Sequence, residues 1–105
     1  MELIEIQQTP SQRFAINANE HNFDLTLRDI GGSMLLDVTV DGNNLANGLA
    51  VLPNQPLIPY PHLAKYGNFI LLTDSDDYPT WETIGINSSL YYMTQAEQAE
   101  VANAG

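Results

Sequence analysis

The sequence contains no cysteine. Disulfides, thiolate nucleophiles and cysteine-ligated zinc are excluded together, so stability has to come from packing and backbone pairing. Positive charge is almost as scarce: Arg13, Arg28 and Lys65 stand against 13 carboxylates, for a net charge of −10 at pH 7. Tight binding to a nucleic acid needs cations that displace its counterions, so nucleic acid is excluded as a direct, tight ligand. The acidity has two readings, solubility or a surface that must not adhere to passing DNA. No apolar run approaches the roughly 18–20 residues that span a bilayer. The opening MELIEIQQTP carries acids where a secretory signal would carry bases. The expectation is a protein with no membrane partner and no targeting segment, acting where it is made or where an assembly takes it.

Catalytic groupings are also missing. His21 and His62 are the two histidines; one falls in a turn and the other follows Pro61, and both read as ordinary surface or packing residues. None of Ser11, Ser33, Ser75, Ser88 and Ser89 stands in a nucleophile-elbow context. Asp74, Asp76 and Asp77 resemble the start of a calcium loop, but Pro79 occupies the sixth position, where glycine is required, and Gly85 the twelfth, where an acid is. That run reads as a solvated loop. The seven glycines fall at turns and make no phosphate cradle. Any two of the carboxylates could meet in space as a glycosidase pair, yet nothing in the sequence selects a pair. No catalytic residue, cofactor site or metal site is therefore expected, and the chain reads as a non-enzyme.

What is present is strand pattern. At 105 residues the chain is one domain, 1–105, able to bury roughly 60–65% of its unfolded surface. A weak alternation over Glu2 to Gln7 predicts a short strand, ended by Thr9-Pro10-Ser11. From Gln12 to Ala18, Phe14, Ile16 and Ala18 share one face. After turn residues Asn19 to Asn22, Phe23, Leu25 and Leu27 alternate with Asp24, Thr26 and Arg28. Gly31-Gly32 allows a reversal, and Met34, Leu36, Val38 and Val40 form the next apolar face. Asp41-Gly42-Asn43 signals a tight hairpin, and Leu45 to Leu52 a shorter strand interrupted by a bulge at Asn47-Gly48. Asn68 to Thr73 reads as a strand buried on both faces, Thr83-Ile84-Gly85 as a helical turn or loop, and Leu90 to Met93 as a last, aromatic strand. Thr94 followed by Glu97 three residues on predicts a capped, alanine-rich C-terminal helix. The expected fold is mainly β, a small antiparallel barrel or two-layer sandwich with a proline-rich crossing and a short C-terminal helix.

The crossing is LAVLPNQPLIPYPHLAKYGN, Leu49 to Asn68. Pro53, Pro56 and Pro59 recur at the three-residue period of a polyproline II helix, and each forces its predecessor into an extended conformation. The prolines reduce the ordering cost of an apolar rod, which suits contact with a protein partner. The candidate contact residues are Leu52, Pro53, Pro56, Leu57, Ile58, Pro59 and Tyr60. Pro56 to Pro59 also has the spacing of an SH3-type ligand, without the adjacent cation such docking wants. A mere structural connector is the other reading of the same residues. The aromatic set Tyr60, Tyr66, Phe69, Tyr78, Trp81, Tyr91 and Tyr92 either completes the core or serves as a sugar platform.

Several stretches resemble a known family. Arg28 to Asn43, Leu49 to Thr73, Asp77-Tyr78-Pro79 and Leu90-Tyr91-Tyr92 look like the small plug-type proteins of contractile phage tail baseplates, known from a cyanophage myovirus. The most specific part is Pro53 to Tyr60 with Gly67-Asn68-Phe69; Glu2 to Ala18 and Glu97 to Gly105 contribute little. The resemblance implies a structural virion component without enzymatic activity, made in the bacterial host cytoplasm and seated on the tail axis near the hub. It implies hub or tube proteins as partners, and an axial seat favours a cyclic homo-oligomer, with a trimer expected because spikes and hubs are often threefold. The alternative reading is a small β-sandwich ligand- or carbohydrate-binding module.

Overall fold

The computed structural model describes residues 1–31, 33–74, 78–86 and 88–104. In chain order the strands are β1 (Glu2–Ile4), β2 (Ser11–Ala18), β3 (His21–Asp29), β4 (Met34–Val40), β5 (Asn43–Ala50), β6 (Asn68–Thr73) and β7 (Ser88–Met93). A 3-10 helix, Pro61–Tyr66, precedes β6, and an α-helix, α1 (Gln95–Ala104), follows β7. β2 to β5 make a four-stranded antiparallel meander, while β1, β7 and β6 make a three-stranded antiparallel sheet in that order. The two sheets form a sandwich. No closed barrel forms, because each sheet keeps its own strand order and edges.

Turn chemistry fixes the register of the larger sheet. Asn19 (φ 52°) with Glu20 (φ 66°), and Asp41 (φ 49°) with Gly42 (φ 83°), occupy two-residue hairpin loops whose twist matches that of the strands. The Asn19–Glu20 loop closes at Ala18 opposite His21, and the Asp41–Gly42 loop at Val40 opposite Asn43. From there Phe23, Leu25 and Leu27 fall opposite Val40, Val38 and Leu36. All six are buried, and they line the inner face of the meander. A one-residue slip would turn every one of them outward.

The smaller sheet answers with Ile4, Phe69, Leu71, Leu90 and Tyr92. Three rings join the layers: Phe23 lies 5.6 Å from Phe69 and 5.4 Å from Tyr92, and Phe69 lies 5.6 Å from Tyr92. Their tilted and edge-to-face geometry adds about 0.5–1.5 kcal/mol per pair to the area they bury. Ile6, Phe14, Ile16, Tyr66 and Trp81 pack half-buried around this core.

Most strand expectations hold, with differences at the ends. β1 stops at Ile4 rather than Gln7. β5 begins two residues earlier than expected, at Asn43, and ends at Ala50. Its register against β4 shifts twice, between Leu36 and Val38 and again between Val38 and Thr39, and Gly48 has φ 64°. The expected bulge at Asn47-Gly48 is present, and a second lies beside Leu45. β6 is buried at Asn68 to Leu71, but Leu72 is exposed, so both-face burial covers only the first four residues. The Thr83-Ile84-Gly85 turn is closed by the Ile84 N–H, which donates to Thr80 O at 2.9 Å. Of the sequence features above, Gly32, Ser75 to Asp77, Gly105 and the side chain of His62 lie outside the described residues.

Candidate partner-contact surface

The crossing begins where β5 ends, and its first polar contact ties it to the larger sheet: Val51 N–H donates to Met34 O at 3.0 Å. It then passes to the smaller sheet and lies along β6 through two isolated bridges, Pro53 with Leu71 in the parallel sense and Pro56 with Ile70 in the antiparallel sense. Asn54 N–H donates to Leu71 O and Leu57 N–H to Phe69 O, each at 2.8 Å. The prolines have no N–H to add, so the non-proline residues between them carry the pairing.

The rod is not straight. Asn54 has φ 59°, a left-handed conformation that no polyproline helix contains. The kink has a local cause: besides its N–H bond to Leu71, Asn54 accepts the Thr73 N–H on Oδ1 at 2.9 Å. Asparagine tolerates this backbone region better than most residues do. From Gln55 onward the chain returns toward Asn68.

Asn68 is the clamp. It is 3% exposed, and its Oδ1 accepts the Ile58 N–H at 2.8 Å and its own neighbour's N–H, that of Phe69, at 2.7 Å. Its Nδ2 donates to Ile58 O at 2.9 Å and to Gln98 Oε1 of α1 at 3.2 Å. One buried amide therefore joins the crossing, β6 and the C-terminal helix. Sequence reading missed this role; the only available signal was an amide at the head of an otherwise apolar strand.

Gly67, just before it, has φ 94°. A Cβ placed there would meet Tyr92 Cζ at 2.5 Å and Met93 O at 2.6 Å. The close approach lets Tyr92 Oη donate to Tyr66 O at 2.8 Å, closing the end of the 3-10 helix against β7. Burial pushes the Tyr92 hydroxyl above its ordinary pKa, so it remains a donor. Gly67-Asn68-Phe69 is thus a glycine for close packing, an amide for clamping and a ring for the core.

The seven candidate contact residues divide into two groups. Leu57 and Ile58 are 4% and 5% exposed and belong to the core. Leu52 and Pro53 are half-buried, Pro56 and Pro59 are exposed, and Tyr60 is 46% exposed. The two aliphatic residues seat the crossing, and the prolines with Tyr60 form its outer surface. An open groove of about 440 Å³ adjoins this surface at Asn54, lined among others by Leu72, Asp74, Ile86 and Tyr91.

The remaining polar groupings hold turns and helix ends. His21 Nδ1 meets Asp41 Oδ2 at 2.6 Å, and Asp41 Oδ1 accepts the Asn22 N–H at 2.9 Å. The Asn22 N–H, and then His21, hold the Asp41 carboxyl below its usual pKa. His21 also stacks edgewise on Tyr66 at 5.5 Å. Asp37 grips the Arg28 guanidinium through both oxygens and accepts the Gly48 N–H at 2.8 Å, which pins the bulge of β5. Burial opposes the charged Asp37, but the Gly48 N–H and Arg28 outweigh it and lower its pKa. Thr94 and Glu97 exchange backbone-to-side-chain bonds at 3.0 and 3.3 Å, the capping box read in the sequence. Among the described residues no cluster of three or more potential ligands could hold a metal ion. No described helix is long and apolar enough to cross a membrane.

The family model described as cyanophage baseplate Pam3 plug gp18 matches residues 1–96. The chain belongs to the baseplate plug family. Family membership gives it a structural place in a phage tail baseplate. The match takes in β1 and β2, so the family signal reaches further toward the N-terminus than the motifs of the crossing alone. It stops two residues into α1. No curated protein matches the chain.

Proposed function

We propose that this plug-family chain seats at the tail axis of the baseplate and contacts the hub or the end of the tube through the outer edge of its crossing. The observation that supports this is the clamped geometry of that edge. Leu57 and Ile58 are in the core, Asn68 holds both polar backbone groups of Ile58, and Pro56, Pro59 and Tyr60 are left outward on a segment already ordered. A partner that binds them does not have to order them first, which is where much of the cost of association lies. Such a seat favours a cyclic arrangement around the axis, with three copies matching the threefold symmetry common among spikes and hubs. Synthesis takes place in the host cytoplasm and function in the virion. The net charge of −10 would keep a genome from adhering as it leaves.

The test is the double variant Pro56→Ala/Pro59→Ala together with Tyr60→Ala, measured by binding to the hub and tube proteins encoded beside this chain. The expected result is a folded protein, with an unchanged circular dichroism spectrum, that has lost its stoichiometric complex. A variant that unfolds would make the crossing a connector. One that binds with unchanged affinity would place the contact elsewhere. The carbohydrate reading has less support, because Phe69 and Tyr92 are buried and Trp81 is half-buried against the core, leaving Tyr60 and Tyr78 as the strongly exposed aromatics.

A further inference from the structure

The two sheets have four lateral edges, and they are not treated alike. β6 is covered by the crossing, whose own outer edge carries prolines. β5 is bent by two register shifts. β1 is three residues long and begins with Glu2. β2 is different: eight residues, no proline, no bulge against β3, no lysine and no carboxylate from Ser11 to Ala18. Proteins normally blunt an edge of this length with one of those devices.

The hydrogen-bond parity of this edge can be read directly. Asp29 N–H donates to Pro10 O at 2.8 Å, which makes Pro10 and Asp29 a hydrogen-bonded pair. Such pairs recur at every second residue of an antiparallel ladder. Gln12, Phe14, Ile16 and Ala18 therefore turn their N–H and C=O groups toward β3. Ser11, Arg13, Ala15 and Asn17 turn theirs outward, and among the described residues β2 has no strand on that side.

We propose that this edge pairs with the β2 edge of a second copy of the chain, antiparallel about a two-fold axis through Ala15. Outward groups must meet outward groups, so only odd residues can face odd residues. With Ala15 opposite Ala15, Arg13 falls opposite Asn17, and Phe14 falls opposite Ile16, each twice by symmetry. The first pair places a cation beside an amide oxygen on the wet face. The second covers two side chains left half-buried at the rim of the core with an aromatic and β-branched contact. Centring the axis on Arg13 instead would oppose two guanidiniums, and centring it on Phe14 would bring them to diagonal positions. The Ala15 register separates them and makes about six main-chain hydrogen bonds. Local charge does not oppose a second copy at this edge, and of the two uncovered edge strands without a carboxylate, β2 and β5, only β2 runs without a register shift. Two molecules of net charge −10 repel, and β2 is a strand on which they can meet without opposing carboxylates.

The contact is two-fold and does not depend on the proposed role of the crossing. Alone it gives a dimer; combined with a three-fold axis it gives six copies. An edge contact is at the small end of stable interfaces, so dissociation on dilution is expected. The experiment is sedimentation equilibrium of the purified full chain from about 10 µM to 1 mM, a range that brackets weak edge contacts, with amide hydrogen exchange at the upper concentration. The expected mass at high concentration is about 23 kDa, twice the 11.6 kDa of the chain. Arg13, Ala15 and Asn17 amides, which have no bond to β3, should exchange at least about tenfold more slowly there than in dilute protein. Ala15→Lys should abolish both effects while leaving the melting temperature of dilute protein unchanged. Ala15→Pro removes an N–H that the monomer does not use, and should do the same. A monomer at every concentration overturns the proposal. So does a dimer with unprotected Arg13, Ala15 and Asn17 amides, one that survives Ala15→Lys, or a trimer without this edge.

Discussion

Replacing Asn68 by alanine removes the amide that holds the crossing to β6. Two buried main-chain groups lose their partners, the N–H and C=O of Ile58, and Gln98 loses a third bond. A buried polar group left unpaired costs about 1–3 kcal/mol. The Phe69 N–H bond is local and the Gln98 bond is only part-buried, so the two Ile58 groups dominate. The expected loss is about 2–4 kcal/mol, a large share of the roughly 5–15 kcal/mol that holds a domain of this size together. At about 5 °C per kcal/mol for a domain of roughly 100 residues, the melting temperature should fall by about 10–20 °C. Gln98→Ala, which removes the helix's acceptor for Asn68 and leaves both Ile58 bonds in place, should cost less than about 1 kcal/mol. Thermal and urea unfolding followed by circular dichroism measure both variants. In hydrogen exchange, the Ile58 amide should lose protection in Asn68→Ala and keep it in Gln98→Ala. A cost for Asn68→Ala below that of Gln98→Ala would refute the clamp. An unchanged Ile58 amide would do so independently.

Gly67→Ala should destabilise by at least about 3 kcal/mol, because it combines a left-handed backbone with a methyl group driven into Tyr92 and Met93 O; soluble yield and melting temperature report it. Thr94→Ala removes one half of the capping box and should cost about 1 kcal/mol, seen as lost helical ellipticity with the β signal retained. Acid should destabilise the fold. Asp37, Asp41 and Glu97 all have folded pKa values below their ordinary ones, so their contribution is complete above about pH 5 and is lost as pH falls through the lowered values. Melting temperature should therefore decline progressively below about pH 4, and Asp37→Asn should flatten part of that decline while lowering stability at pH 7.

Local signals identified most of the strands because each carried its own evidence. Phe23, Leu25 and Leu27 alternate with polar residues, and a strand with one wet face has no other simple way to bury them. Asp41-Gly42 and the Thr94–Glu97 pair are equally local, since turn and cap chemistry act over three or four residues. The crossing was legible as extended, but not in its path. Proline period alone predicts a straight rod, and the tertiary contacts of Asn54 with Leu71 and Thr73 override it. The division of Leu57 and Ile58 from Pro56 and Pro59 was hidden for the same reason: which side of an extended segment faces in depends on the strand beside it. The 3-10 helix at Pro61–Tyr66 went unread, because its sequence has proline at the start and no helical periodicity long enough to detect. Asn68 looked like the edge of a strand. Its partners are 10 and 30 residues away, beyond the reach of any local pattern.

The contrast between the two sides of the sandwich gives these pieces a common logic. On one side the chain spends four of its six prolines along the crossing, where Pro53, Pro56 and Pro59 cannot donate a ladder bond. Strand addition is blocked there, so any partner has to read side-chain shape, which suits a contact with a different protein. On the opposite side β2 offers alternate N–H and C=O groups over eight residues with no charge of the chain's prevailing sign. Main-chain pairing reads little sequence, and its specificity here comes from register, from Phe14 against Ile16 and Arg13 against Asn17. A structural subunit with two such sides can separate its two kinds of neighbour by chemistry. Exchanging the devices tests that separation: Pro59→Val should leave the crossing more prone to strand pairing and raise aggregation at millimolar protein, while Ala15→Pro should leave hub binding intact. Loss of hub binding in Ala15→Pro with the fold retained would show that the two sides act as one surface.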